Sequence, residues 1–256
     1  MKEYKVFIIN SDELKREVRV TVFLPKSYRK TDKYYPVLYM HDGQNLFDNN
    51  LASFGKSWGI MEAYDNDPSI PEIIVVGIDS SHTRTEELVP FIFNYDGDKE
   101  LHGGNSDNYY TFITKTLKTF IDKRYRTFKS AKNTGIMGSS YGGLSSTYAA
   151  LKYSEFFTRF GCISNAYFSV QKELLELIRN SSLETVKKFY MDVGTKESKK
   201  DSECEKYILS NKEIYELLSE KIEPGKLRFD VVEDAIHHES AWEKRFPEII
   251  KFLFND

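Results

Sequence analysis

The sequence predicts an α/β fold: a mainly parallel central sheet flanked by helices, in a single domain spanning residues 1–256. Three observations support it. Short apolar runs rich in β-branched residues alternate with segments of helical periodicity along most of the chain. Several of those runs are apolar throughout, as strands covered on both faces need to be. Clusters of chemically active residues follow the runs directly, and functional groups gather at the carboxyl ends of strands in such sheets.

The elements follow in chain order. Val18, Val20, Val22 and Leu24 alternate with more polar neighbours, so 18–24 reads as a half-buried strand. PVLYM at 36–40 and PEIIVVGID at 71–79 are continuous apolar strands, each closed by polar residues. Phe112, Ile113, Leu117, Phe120 and Ile121 recur at helical spacing and predict an amphipathic helix over 109–125. A strand at 133–138 and a helix at 142–153 come next. Strands are then expected at 157–164, 189–194 and 227–232, with a helix at 205–221 between the last two. A closing helix covers 239–254, and Pro247 is expected to kink or break it.

The bulk composition narrows the function classes. The chain has 256 residues, 40% hydrophobic and 29% charged, with a formal net charge of -3. That is a globular composition with enough apolar material for a large core. A near-balanced charge gives no long-range attraction to nucleic acid or an anionic membrane. Cys162 and Cys204 have no CxxC partner, which argues against a disulfide framework or a zinc site and for two free thiols. Val6–Ile9 is too short for the apolar core of a signal peptide, and no later run is long enough to span a membrane. A cytoplasmic location is the expectation.

The chemistry starts at Gly138-Ser139-Ser140-Tyr141-Gly142. This is G-x-S-x-G between a predicted strand and a predicted helix. A serine at so tight a turn projects above the sheet, and small residues on either side let strand and helix approach. Ser140 is therefore the candidate nucleophile. A serine hydroxyl needs a base, and histidine has the suitable pKa. Of five histidines, only His237 and His238 follow Ser140, in the chain order that this fold uses. Adjacent side chains point apart, so one of the two faces the serine. The orienting acid should lie between them and after a strand. Glu197, Asp201 and Asp192 are the candidates: Asp192 lies inside the strand, Asp201 in a charged run that reads as a solvated loop, and Glu197 is favoured by its place just past the strand end. Oxyanion donors are expected from the Tyr141 N–H and from the 41–47 loop, at Gln44 or, failing that, Gly43. His41 and Asp42 do not make a metal site, since no third ligand stands at a useful spacing. No metal or cofactor is implied.

Together these motifs resemble the esterase D-like family of α/β-hydrolases. That family includes enterochelin-type siderophore esterases, feruloyl and acetylxylan esterases and S-formylglutathione hydrolase. HDGQNLFD at 41–48 resembles its oxyanion loop, GSSYGGL at 138–144 its nucleophile elbow, GTKE at 194–197 its acid loop and HHESAW at 237–242 its histidine loop. SWGIMEA at 57–63 and GIDSSHTR at 77–84 are similar to family segments that put a tryptophan and an arginine by the pocket, here Trp58 and Arg84. The pattern His-x-Glu-x-x-Trp falls on His237, Glu239 and Trp242, so the resemblance chooses His237. It also places the family acid on Glu197. Tyr141 stands where Leu or Met is usual, and His238 where Asn is frequent.

The resemblance implies an α/β-hydrolase that cleaves a small-molecule ester through an acyl-enzyme. Two other readings use the same scaffold: acyl transfer to an alcohol, and binding without catalysis. The polar stretch GDKELHGGNSDN at 97–108 reads either as a lid or as an exposed loop.

Overall fold

The computed structural model describes residues 4–95 and 98–255. An eight-stranded sheet runs through them. Its strands are β1 (Tyr4–Ser11), β2 (Arg16–Phe23), β3 (Val37–His41), β4 (Ile74–Ile78), β5 (Thr134–Ser139), β6 (Arg159–Ile163), β7 (Lys188–Lys196) and β8 (Leu227–Ile236). Their order across the sheet is β1-β2-β4-β3-β5-β6-β7-β8. The first two strands form an antiparallel hairpin, and β2 also pairs antiparallel with β4. From β4 onward every pairing is parallel.

Strand periodicity divides the apolar residues between two cores. Val37, Tyr39, Ile136 and Phe160 point to one face, where they meet Ile113, Leu117, Leu144, Leu174, Ile214 and Leu218. Leu38, Met40, Met137 and Ile163 point to the other, against Ile60, Tyr64, Phe246, Ile250 and Leu253. The first face is covered by α3 (Ser106–Thr111), α4 (Lys118–Arg124), α5 (Tyr141–Lys152), α6 (Gln171–Arg179) and α7 (Asp201–Ser219). The second is covered by α1 (Ile60–Asn66) and α8 (Glu239–Phe254). A short helix, α2 (Arg84–Leu88), follows β4. Burying each large aliphatic side chain in these layers stabilises the fold by about 1.5–3 kcal/mol.

Most of the expected elements are present within a few residues. The predicted 109–125 helix is continuous through α3 and α4, joined by a wide π-helical stretch at Phe112–Leu117. The closing helix has the predicted ends, but Pro247 does not interrupt it. A prolyl ring already holds a helical φ, and here only one main-chain donor is forgone. The β1 strand was not expected. As a sheet edge it leaves Val6 and Ile8 exposed, so no clean apolar alternation marks it. Cys162 and Cys204 are both free and buried, and burial pushes the Cys162 thiol up to about 12.

One ion pair ties α8 to the sheet. Asp192 in β7 is fully buried and accepts from Arg245 Nε at 2.8 Å, from Arg245 Nη2 at 3.1 Å and from the Ser164 N–H at 2.9 Å. Arg245→Met would strand that carboxylate in the interior, at a cost of about 3–5 kcal/mol. The expected outcome is a clear fall in the thermal unfolding midpoint. An unchanged midpoint would contradict this account of how α8 is held.

Candidate active site

The candidate side chains all stand at the carboxyl ends of the parallel strands. The turn between β5 and α5 is the tightest part. Ser140 sits at φ 58° and ψ −122°, a conformation that costs a non-glycine residue about 1–3 kcal/mol. Its surroundings fix it there. The Ser140 N–H donates to the Ile163 carbonyl at 2.9 Å, and the Ser140 carbonyl accepts from Gly143 and Leu144 N–H at 3.1 Å each. A Cβ at Gly138 would lie 2.9 Å from the Gly142 carbonyl carbon, and one at Gly143 would lie 2.0 Å from Asn165 Oδ1. The glycines of the motif are therefore spacing requirements between strand and helix.

β8 delivers the two histidines, and the structure separates their roles. His237 Nδ1 lies 2.6 Å from Glu197 Oε2. Glu197 follows β7, is buried, and accepts the Gly194 N–H on Oε1 at 2.6 Å. The His237 ring is held edge-on against Trp242, with centroids 5.2 Å apart, and Tyr207 packs on it at 5.3 Å. His238 instead caps α8, its Nδ1 accepting the Ser240 N–H at 3.2 Å. Of the other acid candidates, Asp192 belongs to the Arg245 pair and Asp201 opens α7 at the surface.

The loop after β3 makes a compact turn. Asp42 takes a left-handed conformation and Gly43–Asn45 form one 3₁₀ turn. A Cβ at Gly43 would lie 2.6 Å from the Gly77 carbonyl carbon, so this turn presses directly on β4. The Gln44 side chain is clamped to Ser80 from both ends, donating from Nε2 to Oγ at 2.8 Å and accepting the Ser80 N–H at 3.1 Å. Arg84 forms a two-pronged pair with Asp42, at 2.6 Å from Nε and 2.7 Å from Nη2. Burial pushes the Asp42 carboxyl up, but the Arg84 guanidinium outweighs it and holds it below its ordinary value.

These parts enclose one pocket of about 540 Å³. Ser140, His237, Gln44 and Arg84 all line it, together with Asn45, His238, Glu239 and Trp242. That size suits a small organic ligand. Trp58 sits one layer behind the pocket rather than in its wall. It is 2% exposed, packs at a tilt against Trp242 with ring centroids 5.6 Å apart, and donates its main-chain N–H to the Asn45 carbonyl at 2.8 Å. A buried indole there fills the space between the Gly43–Asn45 turn and α8. The Tyr141 side chain also points elsewhere, donating its hydroxyl to Tyr95 at 3.1 Å. Residue 97 of the polar stretch 97–108 lies outside the described residues. The rest of that stretch is tied to its surroundings, with Gly104 N–H on the Val89 carbonyl at 2.8 Å and Asn105 N–H on the Glu86 carbonyl at 2.9 Å.

Tyr207 escaped the sequence reading. Its hydroxyl comes close to the Ser140 side chain, yet in the sequence it is one more aromatic in an amphipathic helix. His41 has a structural place directly under the elbow. A Cβ on Gly138 would meet its ring at 2.8 Å, and Nδ1 lies 2.9 Å from the Tyr109 hydroxyl.

The strand order and the flanking helices give the chain an α/β-hydrolase fold. Residues 11–253 match the family model Esterase, described as "Putative esterase", and the chain belongs to that family. It is a carboxylic ester hydrolase. It is similar to the uncharacterized protein YbbA of Bacillus subtilis (strain 168), at 27% identity over 240 residues and 92% of each chain. Among solved structures, an IroE-like serine hydrolase from Shewanella oneidensis superposes with a TM-score of 0.76 at 19% identity, over 98% of this chain and 80% of that one. The enterobactin esterase FES from Shigella flexneri, in the presence of enterobactin, gives 0.77 at 20% identity, over 98% of this chain and 58% of that one. No helix among the described residues is long and apolar enough to cross a membrane.

Burial holds His41 near pKa 4, well below its ordinary 6.5. Between those values the unfolded chain takes up a proton that the folded chain refuses. Stability is therefore lost as pH falls from 6.5 towards 4, by about 3 kcal/mol in full. His41→Gln keeps a polar partner for Tyr109 and removes the titration. Urea unfolding at pH 7 and pH 4.5 is expected to show the variant losing less stability than the wild type. Equal acid losses would contradict the assignment.

Proposed function

We propose that the chain hydrolyses small-molecule carboxylic esters through an acyl-enzyme built by Ser140, His237 and Glu197. The contact of 2.6 Å between His237 Nδ1 and Glu197 Oε2, in the pocket that Ser140 lines, is the observation that carries this reading. With Nδ1–H donated to the carboxylate, the imidazole presents Nε2 as the base. Ser140 Oγ attacks the ester carbonyl while His237 takes its proton. The tetrahedral intermediate collapses as His237 returns that proton to the departing alcohol. Water then attacks the acyl-serine by the same route and releases the acid.

The negative oxygen formed in each step needs two aimed donors. The Tyr141 N–H opens α5, where helical N–H groups have no carbonyl one turn back to bind. The Gln44 N–H is the second, since its side chain is committed to Ser80. Each donor of this kind contributes about 2.7–4 kcal/mol to catalysis in serine hydrolases. Arg84 serves as a polar wall of the substrate pocket, held in place by Asp42. Trp58 acts one step back, by bracing Trp242 and the Asn45 carbonyl.

Ser140→Ala is expected to lower kcat on 4-nitrophenyl butyrate by about 10⁴-fold or more, with its unfolding midpoint kept. Glu197→Gln should cost on the order of 10²–10⁴-fold in kcat, by losing the acceptor that fixes the imidazole tautomer. Retention of most activity by a folded Ser140→Ala protein would contradict the mechanism.

A further inference from the structure

Two carboxyl groups line the candidate pocket, and they are provided for very differently. Asp42 is matched by Arg84 on both oxygens. Glu239, the first residue of α8, is not matched. It is 1% exposed, and Oε1 accepts from Asn45 Nδ2 at 3.1 Å. Oε2 is fully buried and has no hydrogen-bond partner. His238 Nε2 stands 3.9 Å away, beyond hydrogen-bonding distance. Buried polar oxygens without partners are rare in folded proteins because they are costly, so an unmatched one beside a pocket calls for a partner. Glu239 also lines the same pocket as Ser140 and His237.

We propose that Glu239 Oε2 is a specificity contact that binds a hydroxyl group of the ester substrate. This rests on the ester-hydrolase reading of the pocket. The choice of a hydroxyl follows from matching chemistry. An ammonium fits only an ionised carboxylate, and a carbonyl fits only a protonated one. A hydroxyl can donate to the first and accept from the second. Burial pushes the Glu239 carboxyl above its ordinary value, with the Asp42 charge adding to the shift, so the protonated form gains weight. The main-chain N–H of Glu239 itself, and then His238 and His237, act in the opposite direction. A group that matches both forms is the one this site can hold across that range. Asn45 fixes one end of the carboxyl group: its amide donor keeps Oε1 an acceptor and leaves Oε2 without a donor from the protein.

The test uses two isosteric ester pairs on the purified chain. On the acyl side, 4-nitrophenyl 3-hydroxybutyrate is compared with 4-nitrophenyl 3-methylbutyrate. On the alcohol side, 2-hydroxyethyl butyrate is compared with propyl butyrate. Each kcat/KM is divided by the rate of alkaline hydrolysis of the same ester. In at least one pair the hydroxyl ester is expected to lead by about tenfold or more, equivalent to ~1.4 kcal/mol. Glu239→Met should bring that ratio close to one. Glu239→Gln should keep part of it, because its amide N–H at the Oε2 position can still donate to a hydroxyl. Wild-type ratios near one in both pairs, with turnover that depends on Ser140, would overturn the inference and leave the esterase reading intact. A ratio unchanged in Glu239→Met would also overturn it. Loss of Ser140-dependent turnover on every ester would overturn both. If Glu239→Met does not fold, the wild-type ratios decide alone.

Discussion

Strand β5 must turn into helix α5 at Ser140 without a single residue of slack. That constraint organises the rest of the molecule. A side chain at φ 58° and ψ −122° is tolerated only where its neighbours leave no alternative. Here the next strand takes the serine N–H, the helix takes its carbonyl, and His41 fills the space beneath the turn. Glycine at 138, 142 and 143 is the sequence's answer to that crowding, since each would otherwise meet an atom at or below ordinary contact distance. The strain is local and modest. The packed layers on both faces of the sheet offset it many times over.

The partners of the serine are supported from behind by a continuous set of contacts. The His237 ring rests against Trp242, and Trp242 Nε1 donates to Ser164 Oγ at 2.9 Å. Arg245 Nη2 donates to the same hydroxyl at 3.1 Å and continues to Asp192. On the other side Trp58 packs against Trp242 and holds the turn that carries Gln44. The proposed base, the proposed oxyanion donor and the inner strand β7 thus share one rigid backing. In a reaction that depends on fixed geometry, such backing limits how far a reacting group drifts from its partner.

Much of this was legible in the sequence, for identifiable reasons. Fully buried parallel strands give unbroken apolar runs, so β3 and β4 stood out. The elbow was legible because its geometry restricts residue type at several positions at once. Glu197 and the histidine pair followed from chain order and from their places just past strands, and the family resemblance then chose His237. Other features leave no such mark. β1 is an edge strand with one face in solvent, so its pattern is mixed. Pro247 reads as a breaker, yet a helix packed along its length survives one missing donor. Tyr207 sits in an ordinary helical segment, and only the three-dimensional approach of α7 to Ser140 gives it a role to consider. Trp58 was associated with the pocket by resemblance, and its actual place behind Trp242 depends on packing that spacing does not encode.

The central claim is that Ser140 is a nucleophile activated by His237. Covalent labelling tests it most directly. The folded protein would be treated with a fluorophosphonate probe at neutral pH, digested, and mapped by tandem mass spectrometry, alongside a folded His237→Ala variant. The account predicts one adduct on the peptide that contains Ser140, formed far more slowly in the variant. An unlabelled Ser140, or labelling at the same rate without His237, would contradict it.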